Sequence, residues 1–450
     1  MPGYFRHALE TIPDLLDIAA RQGERYPFLL DSVAKGPLGR YSLLLRSSGE
    51  TLRLDADGAL NGPGEGPDFL QRLEDWYRSE AIPPDAEAGL PFNGGWFIYL
   101  AYELAGQIEP VLELPPADDG LPVALAVRCE GAIVLDQREG TAWLCAESAE
   151  LLKVMHAEIE AHGVAPDAGD VPGLRSMHTD PDEDFVDSVR RVQEYLSAGD
   201  AFQVNLSRGW RIGLEAAAEP IALYRRLRRS NPAPFAGLMQ IDGLALMSSS
   251  PERLVEIRNQ EVQTRPIAGT YPRGDDEDSD RSLSRDLLAH PKERAEHIML
   301  IDLERNDLGR VCVTGSVEVS ELMVVESYAH VHHIVSNIRG RLREQASPVD
   351  VIAAVFPGGT ITGCPKVRCM QIIAELEGKG RGFYTGAMGY LGRDGQMDLN
   401  ILIRTLLLSG DTVSLRTGAG IVADSVPEKE LAETVAKARG MLLALEPGHA

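Results

Sequence analysis

Apolar residues recur along this chain at two spacings, one typical of strands and one typical of helices. Short apolar runs bounded by turn residues predict strands at 41–45, 142–145, 252–256, 384–391 and 412–417. Apolar residues three and four positions apart predict helices at 185–196, 291–308 and 427–445. The two kinds of element do not alternate regularly, which disfavours a parallel Rossmann-type sheet. The pattern instead predicts an α+β fold of antiparallel sheets with peripheral helices.

One segment without periodicity, residues 163–182, is rich in glycine, proline and aspartate and predicts a boundary. It separates a β-rich N-terminal region, residues 1–165, from a C-terminal region, residues 183–446. A chain of 450 residues is long enough for two lobes or for one large composite fold.

Charge and composition narrow the class of partner. The chain has 44 lysines and arginines against 68 aspartates and glutamates, a net charge of −24, which repels nucleic acid and anionic membrane surfaces. No apolar stretch reaches the roughly 20 residues that span a bilayer, and the N-terminus does not resemble a signal peptide. We therefore expect no nucleic-acid or membrane partner. The five scattered cysteines indicate reduced thiols in a cytoplasmic protein.

The last predicted helix has a marked start and two different faces. Ser425 is a candidate N-cap, with Pro427 in the first turn. The apolar stripe consists of Leu431, Val435, Ala438 and Leu442. Another face carries Glu430, Glu433 and Lys437. That face is either a solvated surface with ion pairs or, because small residues at 417–424 precede it, the border of an anion site.

The helix predicted at 291–308 places Glu296 on the same face as Leu300 and Leu303. A carboxylate on an apolar face is costly unless it is paired or binds a cation. Two helical carboxylates, with water and substrate oxygens, would suit Mg²⁺. The polar residues 305–307 at the end of this helix are expected to pair locally.

The glycine-rich segment 356–366 has the glycine spacing of a phosphate loop, but Cys364 stands where that motif requires lysine. ATP binding is therefore rejected. Two interpretations remain open. The segment is a tight turn that opens a helix at 367–376, or its amides and hydroxyls, including Thr362 and Gly363, contact a carboxylate near Lys366.

Eleven segments together resemble the chorismate-utilising enzymes, which include anthranilate, aminodeoxychorismate, isochorismate and salicylate synthases. They lie at 203–207, 250–253, 264–270, 294–297, 302–310, 332–333, 363–368, 397–398, 403–405, 418–425 and 430–433. These segments keep the family's order and cover nearly all of residues 185–440. The resemblance implies a two-layer antiparallel β structure with helices outside. In it, an N-terminal region of anthranilate synthase component I type packs against the chorismate-binding catalytic domain.

The resemblance also implies roles for individual residues. Mg²⁺ binding is implied for Glu296 and Glu433, with Glu430 and Glu293 close by. The clamp on the enolpyruvyl carboxylate of chorismate is implied for Arg404, Tyr384, Lys437 and the backbone of Gly418, Ala419 and Gly420. By the same resemblance, Glu252 is expected to be the general acid and His333 to lie near the ring, whereas the neighbouring His332 is expected to be a core histidine. Catalytic positions are also occupied by Gln203, Ala268 and Thr270.

Gln203 indicates which nucleophile is used. Relatives that add water carry a lysine there, and glutamine cannot act as that base, so ammonia is the expected nucleophile. Two ammonia-using branches remain. Ala268 resembles the anthranilate branch, because many aminodeoxychorismate synthases carry a lysine at this position. The stretches 203–206 and 359–363, and the chain length, resemble the aminodeoxychorismate branch, which we favour.

Further expectations concern regulation and partners. Leu30 and Ser32 lie in a stretch that resembles the tryptophan-sensing pocket of anthranilate synthases. No segment resembles a glutamine amidotransferase, so a separate glutaminase subunit is expected to supply ammonia. A non-catalytic regulatory subunit is the remote alternative, which the presence of Glu252, Glu296 and Arg404 disfavours.

Overall fold

The computed structural model describes residues 4–34, 38–84, 89–160, 169–272, 276, 291–327 and 331–446. Its strands are β1 (Phe5–Leu9), β2 (Phe28–Asp31), β3 (Tyr41–Leu54), β4 (Leu60–Asn61), β5 (Gly95–Leu100), β6 (Ala124–Asp136), β7 (Thr141–Ala146), β8 (Leu174–Thr179), β9 (Gln203–Leu214), β10 (Phe235–Ile241), β11 (Leu244–Ser250), β12 (Arg253–Arg258), β13 (Glu261–Thr264), β14 (Ile267–Pro272), β15 (Glu318–Ser327), β16 (Val331–Arg341), β17 (Gly363–Cys364), β18 (Ala387–Gly392), β19 (Met397–Ile401), β20 (Thr405–Ser409) and β21 (Thr412–Ile421). Its helices are α1 (Leu15–Arg21), α2 (Phe69–Glu80), α3 (Ala105–Ile108), α4 (Ala149–Glu160), α5 (Asp182–Ala198), α6 (Pro220–Ser230), α7 (Pro291–Gly309), α8 (Pro348–Val355), α9 (Lys366–Glu377) and α10 (Pro427–Leu443).

These strands form two antiparallel sheets that share two long strands. In sheet one the order is β1-β7-β6-β3-β2-β10-β11-β20-β21-β9-β8. In sheet two the order is β6-β5-β18-β19-β12-β13-β16-β15, and β14 also pairs with β16. The register of β3 on β6 shifts around Ser47, and such irregularities bend a strand. One half of each long strand thereby enters each sheet.

Three apolar layers explain why the sheets stack. Between the sheets, Phe28 of β2 and Phe97 of β5 stack with ring centroids 4.0 Å apart, and Met239 and Met388 pack in the same buried cluster. Helices α1, α6 and α10 cover the outer face of sheet one, and α2, α7 and α8 cover that of sheet two. The predicted α+β fold of antiparallel sheets with peripheral helices is confirmed.

The predicted helices and strands are found at or near their expected positions, but the start of the last helix differs. Val426, not Ser425, is the N-cap residue of α10, and the Ser425 hydroxyl instead accepts a hydrogen bond from the Val422 amide at 3.1 Å. The predicted apolar stripe is also interrupted, because Val435 is 50% exposed whereas Ala438 is buried. The helix is therefore anchored by fewer apolar residues than its spacing suggested.

The division at 165 and 183 remains a prediction, since part of it lies outside the described residues. Strands from both regions pair directly, as β2 does with β10 and β5 with β18. Within the described part of the chain, no helix is long and apolar enough to cross a membrane.

Candidate active site

The site forms where the chain passes between the two sheets. Glu252 lies between β11 of sheet one and β12 of sheet two, and Arg404 lies between β19 of sheet two and β20 of sheet one. These two crossings are hydrogen-bonded to each other, because Ser249 N donates to the Arg404 carbonyl at 3.1 Å and Ile401 N donates to the Glu252 carbonyl at 3.0 Å. The backbone therefore fixes Glu252 and Arg404 side by side.

Glu252 is a buried carboxyl group, with 5% of its surface exposed. Burial raises the pKa of Glu252 to about 7, and the negative charge of Glu304 also raises it, whereas Thr360, the Ile267 amide and Lys437 lower it. A carboxyl group whose pKa lies near neutrality can hold a proton and release it at physiological pH. Its position and pKa suit the general acid expected at this residue.

Glu304 is a second buried carboxyl group that the sequence did not single out. Burial and the neighbouring Asp307 raise the pKa of Glu304 to about 7, and Lys366 lowers it. The Lys366 ammonium lies 2.6 Å from Asp307. Asp307 therefore pairs with a residue distant in sequence as well as with its neighbour Asn306, and Arg305 pairs locally with Asp302 at 2.9 Å. The sequence did contain a signal for Glu304, because it lies one turn after Leu300 on the helix that carries the candidate ligand Glu296.

Arg404 is a half-buried cation at the crossing between β19 and β20. The structure gives its guanidinium no hydrogen bond or ion pair within the described residues, and its backbone has φ of +51°, a strained value for a residue other than glycine. Burial lowers the pKa of Arg404, and the nearby Glu252 raises it. A planar, unpaired guanidinium in such surroundings suits a carboxylate ligand.

The glycines at 418 and 420 form a bare wall on β21 beside β9. A Cβ on Gly420 would lie 2.2 Å from Gln203 Nε2, and a Cβ on Gly418 would lie 2.7 Å from the Tyr384 hydroxyl. Larger residues would therefore displace both side chains. Ala419, in contrast, points its methyl group into a buried apolar cluster with Val204, so only its backbone can face a ligand.

Lys437 and Tyr384 border this wall. The Lys437 ammonium donates to the Gly418 carbonyl at 3.0 Å and pairs with Glu433 at 2.7 Å. Tyr384 is buried and its pKa is raised to about 12 by desolvation, so its hydroxyl keeps its proton and can donate. Residues expected at the carboxylate clamp are thus brought together around Gly418.

A buried ion network, not anticipated from the sequence, lies behind the wall. The carboxylate of Glu377 accepts from Arg381 at 2.7 Å and from Arg416 at 2.8 Å, and also from the Ser207 amide and hydroxyl, both at 2.9 Å. Arg381 lies over the Tyr384 ring at 5.6 Å. The network holds β9, β21 and Tyr384 in place, because every charge in it has close partners.

His333 and Ala268 lie across β16 and β14. His333 is buried, and burial together with the Arg404 charge lowers its pKa to about 3, so the ring is neutral at physiological pH. It lies opposite Thr270 in the register, whose side chain is outside the described residues. Ala268 is 9% exposed, and Gly269, with φ of +63°, makes the bulge that follows it. His332 is buried as expected for a core histidine.

The carboxylates implied for Mg²⁺ are less enclosed. Glu433 is exposed by 48%, Glu296 and Glu430 are half-buried, and the Glu293 side chain lies outside the described residues. Among the residues that the structure describes, no group of three or more histidines, cysteines, aspartates or glutamates is placed to hold a metal ion. The Mg²⁺ site therefore stays a prediction.

The glycine-rich segment supports β9. The Thr362 hydroxyl donates within its own turn to the Gly358 carbonyl at 2.9 Å, and the Thr362 carbonyl accepts from the Asn205 amide at 2.9 Å. A Cβ on Gly363, whose φ is +128°, would lie 2.1 Å from the Gln203 carbonyl. The turn interpretation therefore accounts for the described contacts of both residues, and α9 begins at Lys366, one residue before the predicted start.

Leu30 and Ser32 line a separate cavity of about 320 Å³. The Ser32 hydroxyl donates to the Tyr41 carbonyl at 2.8 Å. Asp31, between them, is buried and lies 2.9 Å from Arg228. The cavity is lined by residues of β2, β3, β10, β12, β13, β18 and β19, and neither Glu252 nor Gly418 is among its lining residues.

Comparisons with known proteins identify the family of this chain. Residues 46–443 match the family described as chorismate binding enzyme. The chain is 42% identical to anthranilate synthase component 1 of Thermus thermophilus, over 94% of this chain and 93% of that one. It is 37% identical to aminodeoxychorismate synthase component 1 of Bacillus subtilis, over 94% and 93%.

A solved structure shows the same fold. Anthranilate synthase component I from Streptococcus pneumoniae superposes with a TM-score of 0.80 at 31% identity, covering 90% of this chain and 93% of that one. The family match spans most of the chain and includes every element that builds the site. The protein belongs to the chorismate binding enzyme family.

Proposed function

We propose that this chain is component I of a two-component aminodeoxychorismate synthase, a transferase that converts chorismate and ammonia to 4-amino-4-deoxychorismate on the route to 4-aminobenzoate and folate. One observation supports the choice of the aminodeoxychorismate branch. The two stretches that resemble this branch, 203–206 and 359–363, are hydrogen-bonded neighbours, since Gly363 pairs with Val204 and Asn205 N donates to the Thr362 carbonyl. They form one structural unit beside Gly418 and Gly420.

The cationic groups bind and orient the substrate. Chorismate carries two carboxylates, which a chain with a net charge of −24 would otherwise repel. Arg404, Lys437 and the Tyr384 hydroxyl offer donors for the enolpyruvyl carboxylate. Because Arg404 has no partner among the described residues, it is available without breaking an existing ion pair.

Glu252 supplies the proton. Hydroxide is a poor leaving group, so Glu252 protonates the C4 hydroxyl, which departs as water when a nucleophile adds to the ring. Ammonia provides the new C4–N bond. Ala268 offers no amine for a covalent adduct at C2, so ammonia or water adds at C2 as the C4 hydroxyl leaves. That group departs from C2 again when ammonia forms the C4–N bond. His333, neutral and buried, lies near the ring.

Carboxylates of Glu296 and Glu433, with Glu430 and Glu293 near, would hold Mg²⁺. Their chemistry fits the ion, because Mg²⁺ is bound through one or two protein carboxylates together with water and substrate oxygens. When bound, the ion offsets the charge of the ring carboxylate. The remaining negative charge of Glu433 is shared with Lys437 at 2.7 Å.

Ammonia is supplied by a separate glutamine amidotransferase subunit. No segment of the sequence resembles a glutamine amidotransferase, and the related proteins are named as component 1. A lyase acting afterwards must eliminate pyruvate to form 4-aminobenzoate.

Anthranilate synthase component I is the second candidate, and two observations favour it. Ala268 matches that branch, and most of the similar proteins carry that name. The cavity at Leu30 and Ser32 is compatible with either branch as a tryptophan pocket. A non-catalytic role is disfavoured, since Glu252, Arg404 and Lys437 are all present in one connected site.

Product analysis separates the candidates. Purified chain is incubated with chorismate, Mg²⁺ and ammonium at alkaline pH. Formation of 4-aminobenzoate only after a lyase is added supports aminodeoxychorismate synthase. Release of pyruvate with fluorescent anthranilate in the absence of a lyase overturns the choice of branch. No consumption of chorismate overturns both.

A further inference from the structure

Two carboxamides on one face of β9 are buried without hydrogen bonds. Gln203 and Asn205 alternate with core residues along the strand, and each is 8% exposed. Within the described part of the chain, their side-chain oxygens have no hydrogen-bond partner, and neither side-chain amide nitrogen donates a hydrogen bond. Buried amides are normally satisfied, so such a pair points to a ligand.

Asn205 is held firmly although its side chain has no partner. Its amide donates to the Thr362 carbonyl at 2.9 Å, and its carbonyl accepts from Arg381 at 2.7 Å. The next residue on the same face, Ser207, is bound by Glu377. The unpaired carboxamide is thus attached to a fixed backbone, as is typical of a group preorganised for binding.

The surroundings of the Asn205 carboxamide favour an anion. Its oxygen lies 3.0 Å from the position of a Cβ on Gly418, and the Tyr384 hydroxyl lies 2.7 Å from that same position. Lys437 donates to the Gly418 carbonyl. The carboxamide can turn about its terminal bond to present either its oxygen or its NH₂ group. Next to a hydroxyl donor and an ammonium, the NH₂ group complements a carboxylate.

We propose that Asn205 is a further substrate-binding residue, whose side-chain amide donates a hydrogen bond to the enolpyruvyl carboxylate of chorismate alongside Tyr384. This inference rests on the proposed function of the site. Gln203 lies one step along the same face, against Gly420, and serves the nucleophile. Asn205 therefore determines the orientation of the substrate relative to the incoming ammonia.

Steady-state kinetics with ammonium as nitrogen source test this role, using Asn205→Leu, Asn205→Asp and Asn205→Ala. Losing one hydrogen bond to a charged group corresponds to about a tenfold change or more. We expect Asn205→Leu and Asn205→Ala to raise the KM for chorismate about tenfold, with the KM for ammonia unchanged. Asn205→Asp should raise the KM for chorismate more than either of these variants, since its carboxylate repels that of the substrate.

The inference is overturned if the variants rank in the opposite order by their effect on KM. If Asn205→Asp resembles the wild type while Asn205→Leu raises the KM for ammonia, the residue accepts a hydrogen bond from the nucleophile. If all three variants keep both KM values, Asn205 does not touch a ligand. Circular dichroism identifies a variant that fails to fold, and Asn205→Ala, which adds no bulk, then decides.

Arg211→Gln is the matched control. Arg211 lies on the same strand with its side chain 66% exposed, and its kinetics should equal those of the wild type. A wild-type chain that consumes no chorismate would defeat the proposed function. A wild-type chain that consumes it, with unchanged Asn205 variants, would defeat this inference alone.

Discussion

Burial acts in opposite ways on the two charged groups at the sheet crossings. It raises the pKa of Glu252 to about 7 and so favours its neutral form, and it disfavours the charge on Arg404, whose pKa it lowers. Both shifts have the same origin, since an ion loses hydration when protein replaces water around it. The result is an acid that can hold its proton near neutral pH beside a cation that has no ion-pair partner among the described residues.

Replacing Glu252 by glutamine should remove the general acid while keeping the side chain's size. We expect kcat to fall by about 10² or more, the usual contribution of a positioned acid, with little change in the KM for chorismate. Because the acid form is lost as pH rises through about 7, wild-type kcat/KM at constant free ammonia should decline above that pH. A pH series in both proteins checks this, and the same decline in Glu252→Gln would contradict the assignment.

Replacing Arg404 by methionine should separate binding from stability. The KM for chorismate should rise at least tenfold, since a charge-assisted pair with the substrate is lost. Urea unfolding should show no loss of stability, because folding disfavours the unpaired charge that the variant removes.

Arg381→Met is the contrasting variant for this test. Arg381 is buried, and its guanidinium is bonded to Glu377 and to two backbone carbonyls. Leaving the charge of Glu377 with one fewer partner should cost about 3–5 kcal/mol. Equal destabilisation by Arg404→Met and Arg381→Met would show that Arg404 has a structural partner after all.

At the scale of elements, the ladder between β9 and β21 sets the shape of the site. It pairs Val204 with Ile421 and continues without a register shift to Gly213 opposite Thr412. Because side chains alternate across a strand, Gly418 and Gly420 share the site face and Ala419 faces the core. A slip of one residue would place core side chains in the substrate's position.

Alanine at the two wall glycines should have different consequences. On Gly420 the new methyl meets Gln203 Nε2, the end of a flexible side chain, whereas on Gly418 it meets the Leu206 carbonyl at 2.4 Å. Gly420→Ala should therefore raise the KM for ammonia with the unfolding midpoint unchanged, and Gly418→Ala should lower both activity and stability. Kinetics and urea unfolding of the two variants distinguish these effects. Equal loss of stability would argue against this explanation.

At the scale of the whole molecule, the N-terminal and C-terminal regions share their sheets. Backbone pairing joins β2 to β10 and β5 to β18. The buried layer between the sheets contains Phe28 and Phe97 from the first region and Met239 and Met388 from the second. Neither region has a complete apolar layer without the other.

Separate expression of residues 1–165 and 183–446 should therefore give poorly folded fragments. Co-expression should restore a soluble complex, because the missing strands and apolar contacts are then supplied by the other fragment. Size-exclusion chromatography and cooperative thermal unfolding measure this. A monomeric 183–446 fragment that unfolds cooperatively and consumes chorismate would instead show that the predicted boundary separates independent domains.

The sequence by itself determined the local features. Period-two and helical spacings located strands such as β3 and β21 and helices α5, α7, α9 and α10, because side-chain direction repeats with the backbone. The order of the motifs along the chain was enough to indicate the family. The sequence also indicated Glu252, Arg404 and the two wall glycines as site residues, but only through resemblance.

Only the tertiary structure decided what these residues touch. Asp307 pairs with Lys366, and the network around Glu377 joins several strands. Glu304 is buried by residues far from it in sequence. No local periodicity encodes such contacts. How deeply Glu252 is buried likewise depends on the packing of both sheets and α7. Ser425 also differs from its expected role, because its hydroxyl accepts a hydrogen bond from the Val422 amide in the turn before α10. Local patterns fix which way a side chain points, whereas packing fixes what it meets.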